Sequence, residues 1–176
     1  RGPYYLNALI HLLGPVRRVT CSAKNTWGEK EMFEEIVKTP THFAGVLDFQ
    51  SGVVGTFLMT SDVHSTGLPH IEVYGTEGSL RCIDPNNFGG QLYLRKPDGR
   101  DLIEVESQYG YNQNSRGVGV ADMAVGIRNG RSYRASGEMG YHVIDIVHAL
   151  HEASVENRHI ELASTCPQPT PVSYTH

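Results

Sequence analysis

Three turn sequences in the middle of the chain, each between two apolar segments, limit the fold more than any other feature. They read Gln-Ser-Gly at residues 50–52, Gly-Thr-Glu-Gly at residues 75–78 and Pro-Asp-Gly at residues 97–99. Short turns of this composition between apolar segments are typical of β-hairpins. Hairpins join antiparallel strands, because parallel neighbours need a long crossover connection. The sequence therefore predicts a largely antiparallel sheet.

Strand patterns surround these turns. An alternating pattern runs from Val16 to Lys24, with Val19, Cys21 and Ala23 on one parity. Further strands are predicted at residues 41–49, 53–61, 71–74, 79–83, 91–95 and 102–106, and a short one at residues 159–162. The stretch between Lys24 and the second strand is predicted to be a polar loop.

Helical patterns lie at both ends of this sheet region. One covers residues 4–13, where Gly2-Pro3 suits the first turn and Gly14-Pro15 ends the helix. Others cover residues 118–129 and 137–157, and the longer one has an apolar face of Met139, Val143, Ile146, Val147, Leu150 and Ser154. We therefore expect an α+β fold, an open antiparallel sheet with helices packed on one face. The domain is predicted to span residues 1–166, followed by an extended tail at residues 167–176.

The predicted sheet has apolar residues on both of its faces. Within residues 41–49, Phe43, Leu47 and Phe49 alternate with Ala44 and Val46. In the following strand, residues 54 and 58 on one parity and residues 57 and 59 on the other are all apolar. A sheet open to water alternates apolar and polar residues, so both faces are expected to be covered. The predicted cover is a second copy in a homo-oligomer, and the alternative is the chain's own loops.

Composition excludes several classes of function. Hydrophobic residues make up 39% and charged residues 19%, which suits one globular domain. The net charge of −4 argues against a nucleic-acid partner. No apolar run approaches the roughly 20 residues of a membrane span, and no secretory leader opens the chain. A cytoplasmic protein with three reduced cysteines and no membrane partner is expected.

Two further features of the sequence concern metal binding and chain boundaries. His148 and His151 lie three residues apart on one predicted helix, with Asp145 and Glu152 nearby. Asp145, His148 and Glu152 fall opposite the apolar face, so a solvated or subunit-contact surface is favoured and no metal site is predicted. The chain opens inside a helical motif at Gly2-Pro3, which predicts that it is part of a longer protein.

Four segments in register resemble the C-terminal domain of the Gfo/Idh/MocA oxidoreductases, the family of glucose–fructose oxidoreductase and inositol dehydrogenase. They are residues 2–16, residues 44–52, residues 71–80 with the Gly-Thr-Glu-Gly turn, and residues 134–138 before the last helix. The resemblance spans residues 2 to about 165. It implies an NAD(P)-dependent parent enzyme acting on a sugar, polyol or related hydroxy compound.

The resemblance also implies that a nucleotide-binding half belongs to the parent. Family members bind NAD or NADP in an N-terminal Rossmann domain, whose GxGxxG fingerprint is absent from this sequence. Gly117-Val-Gly119 lacks the third glycine and follows no strand. The family's Glu-Lys-Pro lysine is absent as well. No residue of this chain is therefore expected to bind the cofactor, and the chain alone is expected to be inactive.

The family's D-x-G-x-H-x-x-D pattern indicates where the site residues should lie. Gly2 falls on its glycine, Tyr4 on its histidine and Asn7 on its final aspartate. Tyr4, Asn7, Ala8 and His11 share one face of the first helix, while Tyr5, Leu9, Leu12 and Leu13 share the other. Tyr4 is predicted to be the proton donor or relay, Asn7 to bind a substrate hydroxyl and His11 to support them. The alternative is a solvated helix face.

Three further residues are predicted to bind substrate. His64 follows a strand end that lies near the substrate in the family, and Tyr109 and Tyr111 could contact a sugar through ring and hydroxyl. An ordinary loop position is the alternative for each, and His70 is a weaker candidate. Arg116 could bind an anionic group or cap a helix. Because Tyr4 and Asn7 depart from the family's histidine and aspartate, a non-catalytic sugar-sensing or scaffold relative stays open.

Overall fold

The computed structural model describes residues 2–26, 30–32, 35–106 and 110–170. Within them the helices are α1 (Gly2–Leu13), α2 (Val118–Asn129) and α3 (Gly137–Glu156). The strands are β1 (Val16–Lys24), β2 (Lys30–Met32), β3 (Glu35–Val37), β4 (His42–Phe49), β5 (Val54–Thr60), β6 (Glu72–Gly75), β7 (Gly78–Arg81), β8 (Leu92–Arg95), β9 (Ile103–Val105) and β10 (Ile160–Glu161).

The strands form two four-stranded sheets and one small hairpin. The first sheet has the order β10-β1-β4-β5, the second has the order β6-β7-β8-β9, and β2 pairs with β3. Every pairing between described strands is antiparallel. The predicted α+β class, the open antiparallel arrangement and all three hairpin turns are confirmed, but the strands form two four-stranded sheets where a single sheet was predicted. The polar loop predicted after Lys24 is wrong, because it contains β2 and β3, whose three residues each are too short to show a period.

The hydrophobic core lies between the first sheet and the two helices α1 and α3. Ile10, Val19 and Ile146 are completely buried, and Leu6, Leu47 and Met139 are nearly so. Burying each such side chain contributes about 1.5–3 kcal/mol before the cost of ordering the chain. On β4 the parity is as predicted, since Leu47 and Phe49 are buried and Ala44 is exposed.

Helix α1 packs through a face slightly rotated from the predicted one. Gly2, Leu6 and Ile10 are its buried residues, whereas Leu12 is 49% exposed. A Cβ at Gly2 would lie 2.7 Å from the Met59 sulfur, so glycine allows the helix to begin close against β5. The helix ends at Gly14, whose φ of 87° is unfavourable for other residues and whose N–H donates to Ile10 O at 3.0 Å.

A buried histidine joins the beginning of the first sheet to α3. His142 Nε2 accepts a 3.0 Å hydrogen bond from the Val16 N–H, and its Nδ1 lies 2.8 Å from Ser164 Oγ. Ser164 in turn donates through both its hydroxyl and its N–H to Asp145. Because Nε2 accepts, the ring proton is on Nδ1 and points at Ser164. Burial lowers the pKa of His142, which keeps the ring neutral.

The residues of α3 that were considered as metal ligands differ in their burial. Asp145, predicted to be solvated or at a subunit contact, is half-buried and accepts hydrogen bonds from Ser164. His148, His151 and Glu152 are exposed. Among the described residues no three histidine, cysteine, aspartate or glutamate side chains come together as a metal site.

On the outer face of the first sheet, no other described element covers the side chains of β1, β4 and β5. Leu58 lies opposite Ala44, which lies opposite Ser22, and Leu58 is 53% exposed. The next row is Thr20, Val46 and Thr56. Arg18 and Asp48 form an ion pair at one end of this face. The Arg18 hydrogen bond holds the pKa of Asp48 below its ordinary value.

Candidate functional site

The polar face of α1 forms one wall of an open pocket of about 360 Å³. Pro3, Tyr4, Asn7 and Ala8 line this wall, and Pro85 lines the pocket from the loop after β7. Positions 4, 7 and 8 meet because residues three and four apart lie on one helix face. The structure thus brings together the two residues that the sequence placed at the centre of the site.

Tyr4 and Asn7 give this pocket complementary hydrogen-bonding groups. Tyr4 is 51% exposed and Asn7 is half-buried, so both are accessible to a ligand. A phenol donates one hydrogen bond and accepts others, and a carboxamide both donates and accepts. Two such groups one helical turn apart can bind neighbouring hydroxyls of a polyhydroxy compound. The proline rings add apolar surface beside them.

A network behind α1 fixes the position of the Pro85 wall. The Tyr5 hydroxyl donates a 3.0 Å hydrogen bond to Asp84 Oδ1, which also accepts from the Asn86 N–H at 3.0 Å. His70 stacks on Tyr5, with ring centroids 5.8 Å apart and planes at 15°. His70 Nε2 lies 3.8 Å from Asp84 Oδ2.

Sequence reasoning assigned Tyr5 to the apolar side of the helix and missed this network. Its partner Asp84 is 79 residues away in the chain. The signal that could have indicated it is the pair of tyrosines at positions 4 and 5, because a tyrosine on a packed face needs a partner for its hydroxyl.

His11 supports α1 and is not among the residues that line the pocket. Its Nδ1 lies 2.9 Å from Asn7 O, and its own carbonyl accepts a 2.8 Å hydrogen bond from Gln168 Nε2. The His11 imidazole is therefore hydrogen-bonded to the backbone of Asn7, the pocket-lining residue one helical turn earlier. Gln168 belongs to the tail, so the tail holds the end of α1.

The remaining predicted substrate ligands are not among the residues that line the pocket. His64 is exposed in the loop after β5, two residues after Asp62, which accepts hydrogen bonds from the Thr26 and Thr41 hydroxyls. Tyr111 is 58% exposed and has a positive φ of 63°. Tyr109 lies outside the described residues.

The contact that Arg116 makes corresponds neither to anion binding nor to helix capping, the two roles considered for it. Its guanidinium lies 5.5 Å from the centroid of the Phe88 ring, within cation–π distance. Phe88 belongs to the same loop as Pro85. This contact joins the segment before α2 to the loop that forms the pocket wall.

The described strands do not form the arrangement that binds a dinucleotide in a Rossmann domain. Such sites use a glycine-rich turn between a parallel strand and a helix, whereas each described strand pairing is antiparallel.

None of the helices in the described ranges combines the length and apolar character that a membrane span requires.

Comparison with known proteins gives one match to a family model and several matches to solved structures. Residues 1–81 match the family model of the GFO/IDH/MocA C-terminal domain. No curated protein sequence matches the chain significantly.

Three solved structures with a similar fold are described as oxidoreductases or dehydrogenases. An NAD binding oxidoreductase from Klebsiella pneumoniae aligns with 93% of this chain and 49% of its own, at 21% identity and a TM-score of 0.72. An aldose-aldose oxidoreductase from Caulobacter crescentus, complexed with glycerol, aligns with 92% and 46%, at 20% identity and a TM-score of 0.71. Levoglucosan dehydrogenase with NADH and levoglucosan aligns with 90% and 48%, at 19% identity and a TM-score of 0.70. The chain therefore spans about half the length of these proteins.

Proposed function

We propose that this chain is the substrate-binding and oligomerisation half of an NAD(P)-dependent oxidoreductase, because its residues 1–81 match the model of the Gfo/Idh/MocA C-terminal domain and its fold is that of the similar solved structures. The parent enzyme acts on the CH–OH group of a sugar, polyol or related hydroxy compound. One observation carries the proposal: Tyr4 and Asn7, at the family's histidine and aspartate positions, line the same pocket.

The residues of this chain bind the substrate and handle its proton. Oxidation of a carbinol removes a hydride from carbon and a proton from oxygen, and NAD or NADP on the other half supplies the hydride acceptor when bound. The Tyr4 hydroxyl hydrogen-bonds the reacting hydroxyl and relays its proton. Since an unperturbed tyrosine has a pKa near 10, this role requires a cation nearby. The family's lysine, from the nucleotide-binding half, fits that requirement.

Neighbouring residues orient the substrate in this proposal. Asn7 binds an adjacent hydroxyl through its carboxamide, and His11 holds the backbone of Asn7 through the 2.9 Å contact. His64, Tyr109 and Tyr111 act as further substrate ligands only if their loops come to the pocket in the complete enzyme. The proposed partners are a small sugar or polyol, the Rossmann domain and further copies of the same protein, in the cytoplasm.

Exposed apolar side chains on the outer face of the first sheet support the second part of the proposal, which is self-association. Leu58 and Val54 are 53% and 66% exposed there, beside small residues such as Ala44. A flat patch of this kind buries apolar surface when two copies meet face to face.

A non-catalytic sugar-sensing relative is the second candidate, favoured by the two departures from the family pattern. Position 4 lacks the imidazole and position 7 lacks the carboxylate that the family pattern has there. Such a protein would keep the pocket and bind a polyhydroxy ligand without oxidising it.

The test uses the full-length protein that contains this chain. NAD⁺ and NADP⁺ are offered with a panel of sugars and polyols, and reduction of the nicotinamide is followed by absorbance. Turnover with at least one compound, and its loss in Tyr4→Phe, is the expected result. Sugar binding by calorimetry without any nicotinamide reduction would favour the sensing relative instead.

A further inference from the structure

The two oxygens of the Asp84 carboxylate are bound unequally. Oδ1 accepts 3.0 Å hydrogen bonds from the Tyr5 hydroxyl and from the Asn86 N–H. Oδ2 accepts a longer 3.4 Å bond from Asn87 Nδ2, and His70 Nε2 lies 3.8 Å from it. Oδ2 is therefore the more weakly bound oxygen, and the His70 imidazole is placed to bind it more tightly.

The His70 ring is held in position by contacts on its own ring and on the backbone that follows. It stacks on the Tyr5 ring, with centroids 5.8 Å apart and planes at 15°. The next residue, Ile71, is buried, and its carbonyl accepts a 2.9 Å hydrogen bond from the Cys82 N–H. The His70 side chain is still 51% exposed. The imidazole can thus exchange a proton with water without leaving Tyr5.

The charge of His70 determines how strongly it interacts with Asp84. At 3.8 Å the two atoms are too far apart for a hydrogen bond, whereas Coulomb attraction acts at that distance. Two titratable groups face the ring, the Tyr5 phenol from α1 and the Asp84 carboxylate from the loop after β7. Between about pH 5 and pH 8 a histidine changes its charge, while a phenol stays neutral and a carboxylate stays ionised. The attraction is therefore present in acid and is lost as the pH rises.

The position of Asp84 affects the candidate pocket through the next residue. Pro85 follows Asp84 directly and lines the pocket together with Tyr4 and Asn7. A proline ring fixes its own φ at about −65°, so a shift of the Asp84 backbone carries the Pro85 ring with it. The Tyr5 hydrogen bond connects the same carboxylate to α1, the helix that forms the other wall. A carboxylate that His70 binds more firmly therefore holds the two walls at a defined separation.

We propose that His70 is a positioning residue for the substrate, and that its positive charge tightens the pocket through Asp84 and Pro85. This rests on the proposed function only in taking a sugar or polyol as the ligand. His70 is not among the residues that line the pocket, so it acts on the ligand indirectly. The pair is partly exposed, and such pairs contribute modestly, so an effect of about two- to fivefold on ligand affinity is expected. Affinity should be higher at acidic than at alkaline pH.

The experiment measures ligand affinity of the full-length protein by calorimetry. Saturating NADH is present, because it fills the cofactor site without allowing oxidation of an alcohol. D-glucose, myo-inositol and glycerol are offered, and the compound that the wild type binds most tightly is used. His70→Phe keeps an aromatic ring against Tyr5 and removes the charge. At about pH 6 its Kd should exceed the wild-type value by about two- to fivefold, and at about pH 8.5 the two values should agree.

Two further variants test whether the effect passes through Asp84. Asp84→Asn removes the charge that His70 faces, so adding His70→Phe to it should change Kd at neither pH. His151→Phe is the matched control, because His151 is an exposed histidine on α3. It should keep the wild-type affinity at both pH values. If His70→Phe loses its circular dichroism signal, His70→Gln is used, with the same dependence on pH expected.

Several outcomes would overturn the proposal. An equal increase of Kd at both pH values would mean that the His70 ring has a purely structural role. An unchanged Kd at acidic pH would contradict the proposal as well, and so would a full effect of His70→Phe in the Asp84→Asn background. The proposed function is decided separately by nicotinamide reduction. A wild-type protein that binds a sugar without reducing NAD⁺ is the sensing relative, and the Kd ratios still decide the role of His70. A wild-type protein that binds none of the three compounds removes the polyol ligand and this proposal with it.

Discussion

The Tyr5 hydroxyl lies 3.0 Å from Asp84 Oδ1, and this hydrogen bond joins α1 to the loop that carries Pro85. Adjacent residues of one helix therefore face two different environments. Tyr4 lines the pocket, while Tyr5 holds the opposite wall in place through Asp84. The shape of the pocket consequently depends on a contact outside it.

Removing the Tyr5 hydroxyl should loosen the pocket without removing any group that lines it. Tyr5→Phe leaves Asp84 with one donor fewer, and we expect a loss of about 1 kcal/mol in the free energy of unfolding. In the full-length enzyme KM should rise more than kcat falls, because the wall moves while Tyr4 stays. Urea denaturation and steady-state kinetics measure the two effects.

Tyr141→Phe is the control for the Tyr5 variant. Tyr141 is 64% exposed on α3, so the loss of its hydroxyl should change neither stability nor KM. An unchanged KM in Tyr5→Phe would show that the hydrogen bond to Asp84 does not position the pocket wall.

Removing the Tyr4 hydroxyl should act on the chemical step instead. A positioned proton donor or relay contributes roughly 10²–10⁴-fold to the rate, so kcat of Tyr4→Phe should fall by about that factor. Stability should change little, since Tyr4 is 51% exposed. Stopped-flow measurement of nicotinamide reduction, together with thermal unfolding, checks both statements. A variant with the wild-type rate would remove Tyr4 from the mechanism.

The secondary structure could be predicted wherever local signals decide it. The turn at residues 75–78 is an example, because Gly78 has a φ of 146°, which glycine adopts and other residues rarely do. The placement of Phe57 and Leu58 on opposite faces of β5 is another, although apolar residues on both parities do not decide that Phe57 is the buried one. Both features depend on neighbours in sequence.

Contacts between distant residues could not be predicted in this way. The Val16 N–H finds its acceptor on His142, 126 residues later. The orientation of helix α2 could not be predicted either, because its sequence is apolar and predicts packing inside. The carboxylate of Asp122, bound by two arginines after the helix, decides which side is protected. No local pattern indicates that the polar side is the attached one.

The buried His142 predicts a dependence of stability on pH. Its pKa in the folded protein lies below the ordinary value of 6.5, because burial disfavours the charged ring. Below pH 6.5 the unfolded chain therefore binds a proton that the folded chain does not. Above pH 6.5 the free energy of unfolding should keep its full value, and it should decrease as the solution is acidified below that pH. Urea denaturation at a series of pH values measures the slope.

His142→Gln separates this slope from that of the other histidines. The variant should be less stable at neutral pH by about 1–3 kcal/mol, because the Val16 N–H loses a well-placed acceptor. Its stability should also depend less on pH in the acidic range than that of the wild type. His148→Gln, on the exposed side of the same helix, should keep the wild-type slope. Equal slopes in wild type and His142→Gln would contradict the role given to burial.

The outer face of the first sheet yields the prediction about assembly. Leu58 lies on the edge strand β5 of this face, opposite Ala44, and is 53% exposed. In a face-to-face dimer Leu58→Asp would bury a carboxylate without a partner, which costs several kcal/mol. We therefore expect Leu58→Asp to convert the oligomer to a monomer in sedimentation velocity, while Val155→Asp leaves it intact. Since Leu58 points away from the core, thermal unfolding of the monomer should remain cooperative. An unchanged sedimentation coefficient in Leu58→Asp would mean that this face does not hold the copies together.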